Sequence, residues 1–150
     1  MNKKILLING PNMNMLGIRQ PEIYGRDTLE TIEMLTKKRA EELGYECECF
    51  QSNYEGAIVE KIHQAYGRVA GIVMNPAAFT HYSIAVADAV SAVGLPVVEV
   101  HMSDIHSRES FRHNSVILPY CIGQVAGHGR DSYAIGVEKL VAHLEGIQNA

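Results

Sequence analysis

The sequence lacks paired cysteines, runs of basic residues and long apolar segments. Cys47, Cys49 and Cys121 form an odd set without metal-ligand spacing, which favours buried apolar residues over a disulfide or a redox pair. The N-terminal apolar run covers only Ile5 to Ile8, which is too short for a secretory signal or a membrane span. We therefore expect a cytoplasmic protein.

Charge is sparse. Of 150 residues, 13 are Lys or Arg and 17 are Asp or Glu, and the formal net charge is −4. Without a basic run, nucleic acid and anionic membranes are poor candidates for the main partner, so we expect a small-molecule ligand. The hydrophobic fraction of 47% supplies an ample core. Residues 1–150 are therefore predicted to form one globular domain.

Short continuous apolar runs alternate with segments of helical period, which is typical of a parallel sheet wrapped by helices. We predict an α/β, flavodoxin-like three-layer fold with a five-stranded parallel sheet. The predicted strands are 5–9, 46–51, 71–75, 97–101 and 122–126, and the predicted helices are 28–43, 55–66, 81–93 and 132–146. Asp27 is predicted to cap the first helix together with Glu30, and Gly44 to end it.

The helix predicted at 81–93 has almost no polar face. Such a helix is buried on most sides, against the sheet on one and against another subunit on the other, so we expect a homo-oligomer. Asp88 lies inside this apolar run and needs a partner. The Asp88 carboxylate either forms a salt bridge at the helix surface or contacts a group in a site shared between subunits.

Several kinds of cofactor site are missing from the sequence. It has no glycine-rich dinucleotide fingerprint after the first strand, no Walker A motif, no paired metal-ligand spacing and no acidic cluster. No lysine falls at the end of a predicted strand, so Schiff-base chemistry has no obvious nucleophile. We therefore predict a site without metal or cofactor.

Polar residues follow the carboxyl ends of the predicted strands, which is where open parallel sheets bind ligands. Residues 10–25 show no periodicity, and a loop of this length in a compact domain is usually a functional lid. The polar residues at these ends are Asn12, Arg19, Tyr24, Asn75, His81, Glu99, His101, Ser103, Arg108 and Arg112. This set is suited to moving protons and stabilising an oxyanion.

Glu99 and His101 are two apart on one strand and so share a face, where the carboxylate could orient the imidazole as a general acid. The alternative is a histidine satisfied within the core. Arg19 could make Tyr24 a base: lowering a phenol pKa of about 10 to neutrality requires roughly 3 to 4 kcal/mol. A guanidinium about 4 Å away supplies roughly 4 kcal/mol at an effective dielectric constant of about 20. Both residues could instead lie on the loop surface.

Arg108 and Arg112 are four apart and are flanked by Glu109 and His113. They form either a solvated helical turn with an internal ion pair or a site for an anionic, hydroxylated ligand beside Ser103.

Six ordered segments resemble one known family, the type II 3-dehydroquinate dehydratases, along nearly the whole chain. These segments are Asn9 to Asn12, Leu16 to Gly25, Gln51 to Gly56, Asn75 to His81, Glu99 to Ser103 and Arg108 to Arg112. The resemblance implies a hydro-lyase of the shikimate pathway that converts 3-dehydroquinate reversibly to 3-dehydroshikimate by anti elimination through an enolate. It further implies a flavodoxin-like fold, a dodecamer built as a tetramer of trimers, and no cofactor.

The resemblance also implies roles for individual residues. Tyr24, as tyrosinate with its pKa lowered by Arg19, would remove a proton alpha to the ketone. Asn12 would hold a water that stabilises the enolate, and His101, supported by Glu99, would protonate the departing hydroxyl. Substrate binding would fall to Asn75, His81, Met102, Ser103 and Arg112, with Asp88 reaching in from a neighbouring subunit.

The sequence departs from the usual family pattern at Gln20, commonly acidic, at Met102, often Ile or Leu, and at Asp104, often Asn. Gln20 and Asp104 change the local charge near the predicted lid. Two other functions fit the sequence: an α/β protein of this fold that binds a small anion without chemistry, and a flavodoxin-like module that binds a protein partner. The choice between a biosynthetic role and quinate breakdown also stays open.

Overall fold

The computed structural model of the chain describes residues 2–18, 20–24 and 26–146, with Tyr24 described by its backbone alone. Its strands and α-helices are β1 (Lys4–Asn9), α1 (Pro21–Tyr24), α2 (Leu29–Glu42), β2 (Glu46–Gln51), α3 (Glu55–Ala65), β3 (Gly71–Asn75), α4 (Ile84–Val93), β4 (Val97–His101), β5 (Gly123–Ala126) and α5 (Asp131–Leu144). The five strands form one parallel sheet in the order β2-β1-β3-β4-β5. This order is that of flavodoxin-like folds, so the predicted fold class is confirmed.

The sheet separates two hydrophobic cores. Successive strand residues point to opposite faces, so β1 sends Ile5 and Leu7 into one core and Leu6 and Ile8 into the other. Helices α2 and α5 cover the first face, and α3 and α4 cover the second. Each buried aliphatic side chain contributes about 1.5–3 kcal/mol, so the apolar runs that predicted the strands also hold the three layers together.

The start of α2 differs from the prediction. Thr28, not Asp27, is the capping residue, and its hydroxyl accepts the Thr31 N–H at 3.2 Å. Thr28 has the extended backbone that a capping residue requires, whereas the Asp27 carboxylate lies 3.4 Å from Arg130. The predicted end of this helix is confirmed, because Gly44 follows it with a φ of +87°.

The helix predicted at 81–93 begins later, at Ile84, where the Ser83 hydroxyl accepts the Val86 N–H at 3.0 Å. Residues Ala77–His81 form a separate 3-10 turn. The segment 10–25, which shows no periodicity in the sequence, contains a 3-10 turn at Met13–Met15 as well as α1. These elements are too short to show a period in the sequence.

One side of α4 is open in this chain. Val86, Ala87, Ala89 and Val90 pack toward the sheet, while Ile84 is 60% exposed. The second buried side expected from the sequence therefore stays a prediction. Among the residues that the structure describes, no helix is long and apolar enough to cross a membrane.

Candidate functional site

A cleft of about 160 Å³ lies at the carboxyl edge of the sheet. Its walls follow β1, β3 and β4, so it spans the point where the strand order reverses, which is where flavodoxin-like folds bind ligands. The lining residues that the sequence singled out are Asn12, Asn75, His81, His101, Met102, Ser103, Arg108 and Arg112. The lining residues that it missed are Pro11, Met13, Ala77, Ala78 and Ile105. These five are apolar; Pro11, Ala77 and Ala78 lie within the segments that resemble the family, and position after a strand is the signal that could have indicated Met13 and Ile105.

The loops after β1 and β3 touch each other beneath the cleft. The Gly10 N–H donates to the Asn75 carbonyl oxygen at 2.8 Å, and a Cβ at Gly10 would collide with the Pro76 carbonyl oxygen. Glycine at position 10 is therefore what allows the two loops to meet. Ala77 takes a φ of +53°, an unfavourable conformation that the Asn75 Oδ1 supports by accepting the Ala77 N–H at 3.0 Å.

Asn75 is fixed from behind by a residue that sequence reasoning missed. Its Nδ2 donates to the Tyr133 hydroxyl at 2.9 Å, and this hydroxyl donates to Asn9 Oδ1 at 2.7 Å. Tyr133 is fully buried, and burial raises the pKa of its phenol above the ordinary range. It therefore acts as a neutral hydrogen-bonding link between α5 and the floor of the cleft.

Glu99 and His101 form the buried polar centre of the site. They are 0% and 5% exposed, and the imidazole Nε2 lies 2.5 Å from Glu99 Oε2. Ser115 Oγ donates to Glu99 Oε1 at 2.7 Å and Gln124 Nε2 to Glu99 Oε2 at 2.9 Å. Burial opposes ionisation of Glu99, but the hydrogen bond and charge of His101, followed by the hydrogen bonds from Ser115 and Gln124, outweigh it, so the pKa of Glu99 falls below the ordinary value.

The ionised carboxylate of Glu99 settles the proton positions on His101. Because a carboxylate only accepts hydrogen bonds, the imidazole Nε2 carries a hydrogen, and Nδ1 is the ring nitrogen left to exchange a proton with a ligand. His101 lines the cleft while Glu99 lies behind it. The arrangement is that of a general acid held in place by a buried carboxylate.

His81 lies next to His101, with ring centroids 6.4 Å apart. Its Nδ1 donates to the Asn114 carbonyl oxygen at 2.8 Å. Burial lowers the pKa of His81, and the nearby His101 and Arg112 lower it further against the opposing effect of this hydrogen bond. His81 therefore enters the cleft as a neutral hydrogen-bonding group.

Arginines supply positive charge at the cleft. Arg112 lies in a 3-10 turn, Ser110–Arg112, and its Nε is 2.6 Å from Glu109 Oε2. Arg108 Nη1 donates to Ser103 Oγ at 3.4 Å. The two arginines thus line the cleft rather than forming one helical turn, which favours an anionic, hydroxylated ligand.

The structure does not bring every predicted site residue into the cleft. Asp88 lies exposed on α4 and is not among the residues that line the cleft of this chain. Arg19 lies outside the described residues, as does the side chain of Tyr24. Gln20 and Asp104 are the two residues whose charge differs from the usual family pattern. Gln20 is exposed, and Asp104 caps a short turn by accepting the His106 N–H at 3.0 Å.

No group of three or more His, Cys, Asp or Glu side chains that could hold a metal ion occurs within residues 2–18, 20–23 and 26–146. The fold and the cleft define a small α/β enzyme with a buried carboxylate–imidazole pair at the carboxyl edge of its sheet.

Comparisons with known proteins assign this enzyme to a family. Residues 3–141 match the family model described as dehydroquinase class II. A 3-dehydroquinate dehydratase of Bacillus cytotoxicus is 52% identical over 142 residues, which cover 95% of this chain and 97% of that protein. The chain belongs to the class II dehydroquinase family and is a hydro-lyase.

Solved structures agree with this assignment. The type II dehydroquinase of Butyrivibrio crossotus is 45% identical with a TM-score of 0.90, covering 93% of this chain and 97% of that one. The type II dehydroquinase of Propionibacterium acnes is 40% identical with a TM-score of 0.89, covering 95% and 98%. The family and the enzyme class expected from the sequence are therefore confirmed.

Proposed function

We propose that the chain catalyses the reversible dehydration of 3-dehydroquinate to 3-dehydroshikimate, with the Glu99–His101 pair releasing the water. The observation that carries this proposal is the buried carboxylate 2.5 Å from an imidazole that lines a cationic cleft. The 52% identity to a protein named 3-dehydroquinate dehydratase supports the choice of substrate.

The elimination has two steps. In the first, the Tyr24 phenolate takes the proton alpha to the ketone, and the electron pair of the broken C–H bond forms an enolate. Arg19 stabilises the phenolate, and Asn12 holds a water against the enolate oxygen. In the second, the enolate expels the beta hydroxyl, which takes a proton from His101 and leaves as water. The product is a conjugated enone, and no metal or cofactor takes part.

The remaining cleft residues bind the substrate. Ser103 and the backbone at Met102 bind its carboxylate, while Asn75, His81 and Arg112 surround the ring. Their position in one cleft beside His101 supports these roles. The charge of Arg112 suits an anionic substrate.

The assembly is a homo-oligomer, a dodecamer built as a tetramer of trimers, in which Asp88 completes the site of a neighbouring subunit. The open apolar side of α4 and the exposure of Asp88 support this arrangement. Mixing subunits that carry Asp88→Ala with subunits that carry Tyr24→Phe tests it. A shared site predicts partial recovery of activity, because some sites combine an intact Asp88 with an intact Tyr24. Mixed assemblies as inactive as either parent would refute it.

A direct assay tests the function itself. Purified protein is supplied with 3-dehydroquinate, and the ultraviolet absorbance of the enone is followed with and without a chelator. We expect turnover that the chelator leaves unchanged. Binding of substrate without an absorbance change would support the anion-binding alternative, and a chelator-sensitive rate would refute the metal-free mechanism.

The proposed function includes a cytoplasmic location for the enzyme.

A further inference from the structure

We infer that Ser115 and Gln124 are positioning residues for the Glu99–His101 pair: they hold the buried carboxylate in the ionised, fixed state in which it orients the imidazole. Neither residue is among those that line the cleft. Each acts on the reaction through Glu99 alone, and the inference rests on the proposed function of that pair.

Ser115 has a hydroxyl whose hydrogen-bonding capacity is fully committed. Its oxygen accepts the N–H groups of Ile117 and Leu118 at 3.2 and 3.0 Å. Its single hydrogen points to Glu99 Oε1 at 2.7 Å. Because two donors polarise the hydroxyl, it is a stronger donor to the carboxylate than an isolated serine.

Gln124 reaches the other carboxylate oxygen from the neighbouring strand. It stands opposite Glu99 in the parallel register of β4 and β5 and donates from Nε2 to Glu99 Oε2 at 2.9 Å. This is the oxygen that meets the imidazole Nε2. Gln124 therefore fixes the position of the atom that orients His101.

Apart from His101 itself, Thr80 is the only further hydrogen-bond donor to Glu99 among the residues that the structure describes, and its bond is long. Thr80 Oγ1 is 3.5 Å from Glu99 Oε2 and 3.3 Å from His101 Nε2. Burial and the charge of Glu99 raise the pKa of the Cys121 thiol to about 12, so it stays neutral. The remaining titratable groups on this side are His101, His81 and Arg112, and of these His101 is the one hydrogen-bonded to Glu99.

The sign of the effect on acid sensitivity follows from these bonds. A donor to a carboxylate stabilises its charged form, so removing Ser115 or Gln124 raises the pKa of Glu99, with burial and the interaction with His101 left in place. Glu99 then becomes protonated at a higher pH and stops holding the imidazolium. The acidic limb of the kcat profile moves upward.

The experiment measures kcat and KM for 3-dehydroquinate from pH 4 to 9 in the intact assembly. In Ser115→Ala and Gln124→Met we expect the acidic limb of kcat to move up by about one to two pH units, the size expected for one hydrogen bond to a charged group. KM changes less than kcat, because the cleft residues are untouched. Ser115→Thr, which keeps the hydroxyl, restores the profile.

Ser52→Ala is the matched control. The Ser52 hydroxyl also accepts a backbone N–H, that of Tyr54 at 3.0 Å, but it lies in the turn after β2 rather than against Glu99. We expect an unshifted profile. The inference is overturned if Ser115→Ala and Gln124→Met leave the pH profile of kcat unshifted. It is also overturned if they lower kcat equally at every pH and Ser115→Thr does not restore it, since that result indicates a structural role only.

A second measurement separates this inference from the proposed function. Difference infrared spectroscopy follows the protonated Glu99 carboxyl during a pH titration, with Glu99→Gln assigning the band. The band should appear at higher pH in both variants, whether or not the protein turns over 3-dehydroquinate. Identical titrations in wild type and variants would refute the inference even in an active dehydratase.

Discussion

Tyr133→Phe removes one oxygen atom from the core and leaves two buried polar groups without their partner. The Tyr133 hydroxyl joins Asn75 Nδ2 at 2.9 Å to Asn9 Oδ1 at 2.7 Å. Asn9 is 0% exposed and Asn75 is 4% exposed, so bulk water does not replace the lost bonds. The substitution retains the ring, and the cost comes from the unsatisfied groups rather than from lost apolar packing.

Each buried polar group left unsatisfied costs about 1–3 kcal/mol. Asn75 Nδ2 keeps a weak contact with the Met13 sulfur at 3.7 Å. The combined cost of the two unsatisfied groups should therefore fall in the lower half of its range of about 2–6 kcal/mol. We expect a loss of about 2–4 kcal/mol in the free energy of unfolding. At about 2–4 °C per kcal/mol for a chain of this size, Tm falls by roughly 4–16 °C.

Tyr45→Phe is the control, because Tyr45 also has a buried ring but its hydroxyl donates to an exposed carboxylate, Glu145, at 3.0 Å. Water replaces that bond, so we expect a loss below about 1 kcal/mol. Urea denaturation at matched subunit concentration measures both variants, and the KM of Tyr133→Phe should rise because Asn75 loses its support. Equal losses in the two variants would show that the Tyr133 hydroxyl is not the source of the stability.

Three further predictions test other parts of the structure. Gly10→Ala pushes its Cβ into the Pro76 carbonyl oxygen and should cost about 1–3 kcal/mol of stability and lower kcat/KM; wild-type values for both would show that the two loops do not meet. Tyr24→Phe should abolish turnover while circular dichroism and assembly size stay unchanged, and a rate near wild type would place the base elsewhere. Because the pKa of Glu99 is lowered on folding, its ionisation adds stability that is present above the ordinary carboxyl value and is lost as pH falls through the folded value. The wild-type advantage over Glu99→Gln in urea midpoint should therefore shrink on acidification, and an advantage that grows would contradict the sign of the shift.

The sequence predicted the fold well because its central strands, β1, β3 and β4, are buried on both faces. Ile5 to Ile8 and Val97 to Val100 are short runs bounded by turns, and such runs are typical of interior parallel strands. The wrong predictions concern the ends of helices, where the capping residue must be chosen from neighbouring polar residues. Asp27 and Thr28 are both good capping residues, and only the backbone shows that Thr28 has the capping geometry.

The candidate site was predictable where position along one strand determines geometry. Glu99 and His101 share a face because they are two residues apart on β4, and the structure places their side chains 2.5 Å apart. Tyr133, Ser115 and Gln124 were missed, because their partners are distant in sequence and lie on other elements. Local patterns hold no signal for such contacts.

The supports of the cleft come from opposite sides of the sheet. Tyr133 on α5 holds Asn75, while Ser115 and Gln124 hold Glu99, and the loss of any of these buried hydrogen bonds leaves a polar group without that partner. The proposed acid is therefore built into the core, where changing a support should alter stability and rate together. The proposed base, Tyr24, belongs to α1, whose described side chains, Pro21 to Ile23, are in neither core. Its removal should alter rate alone, so plotting stability against kcat for the variants separates the two halves of the mechanism.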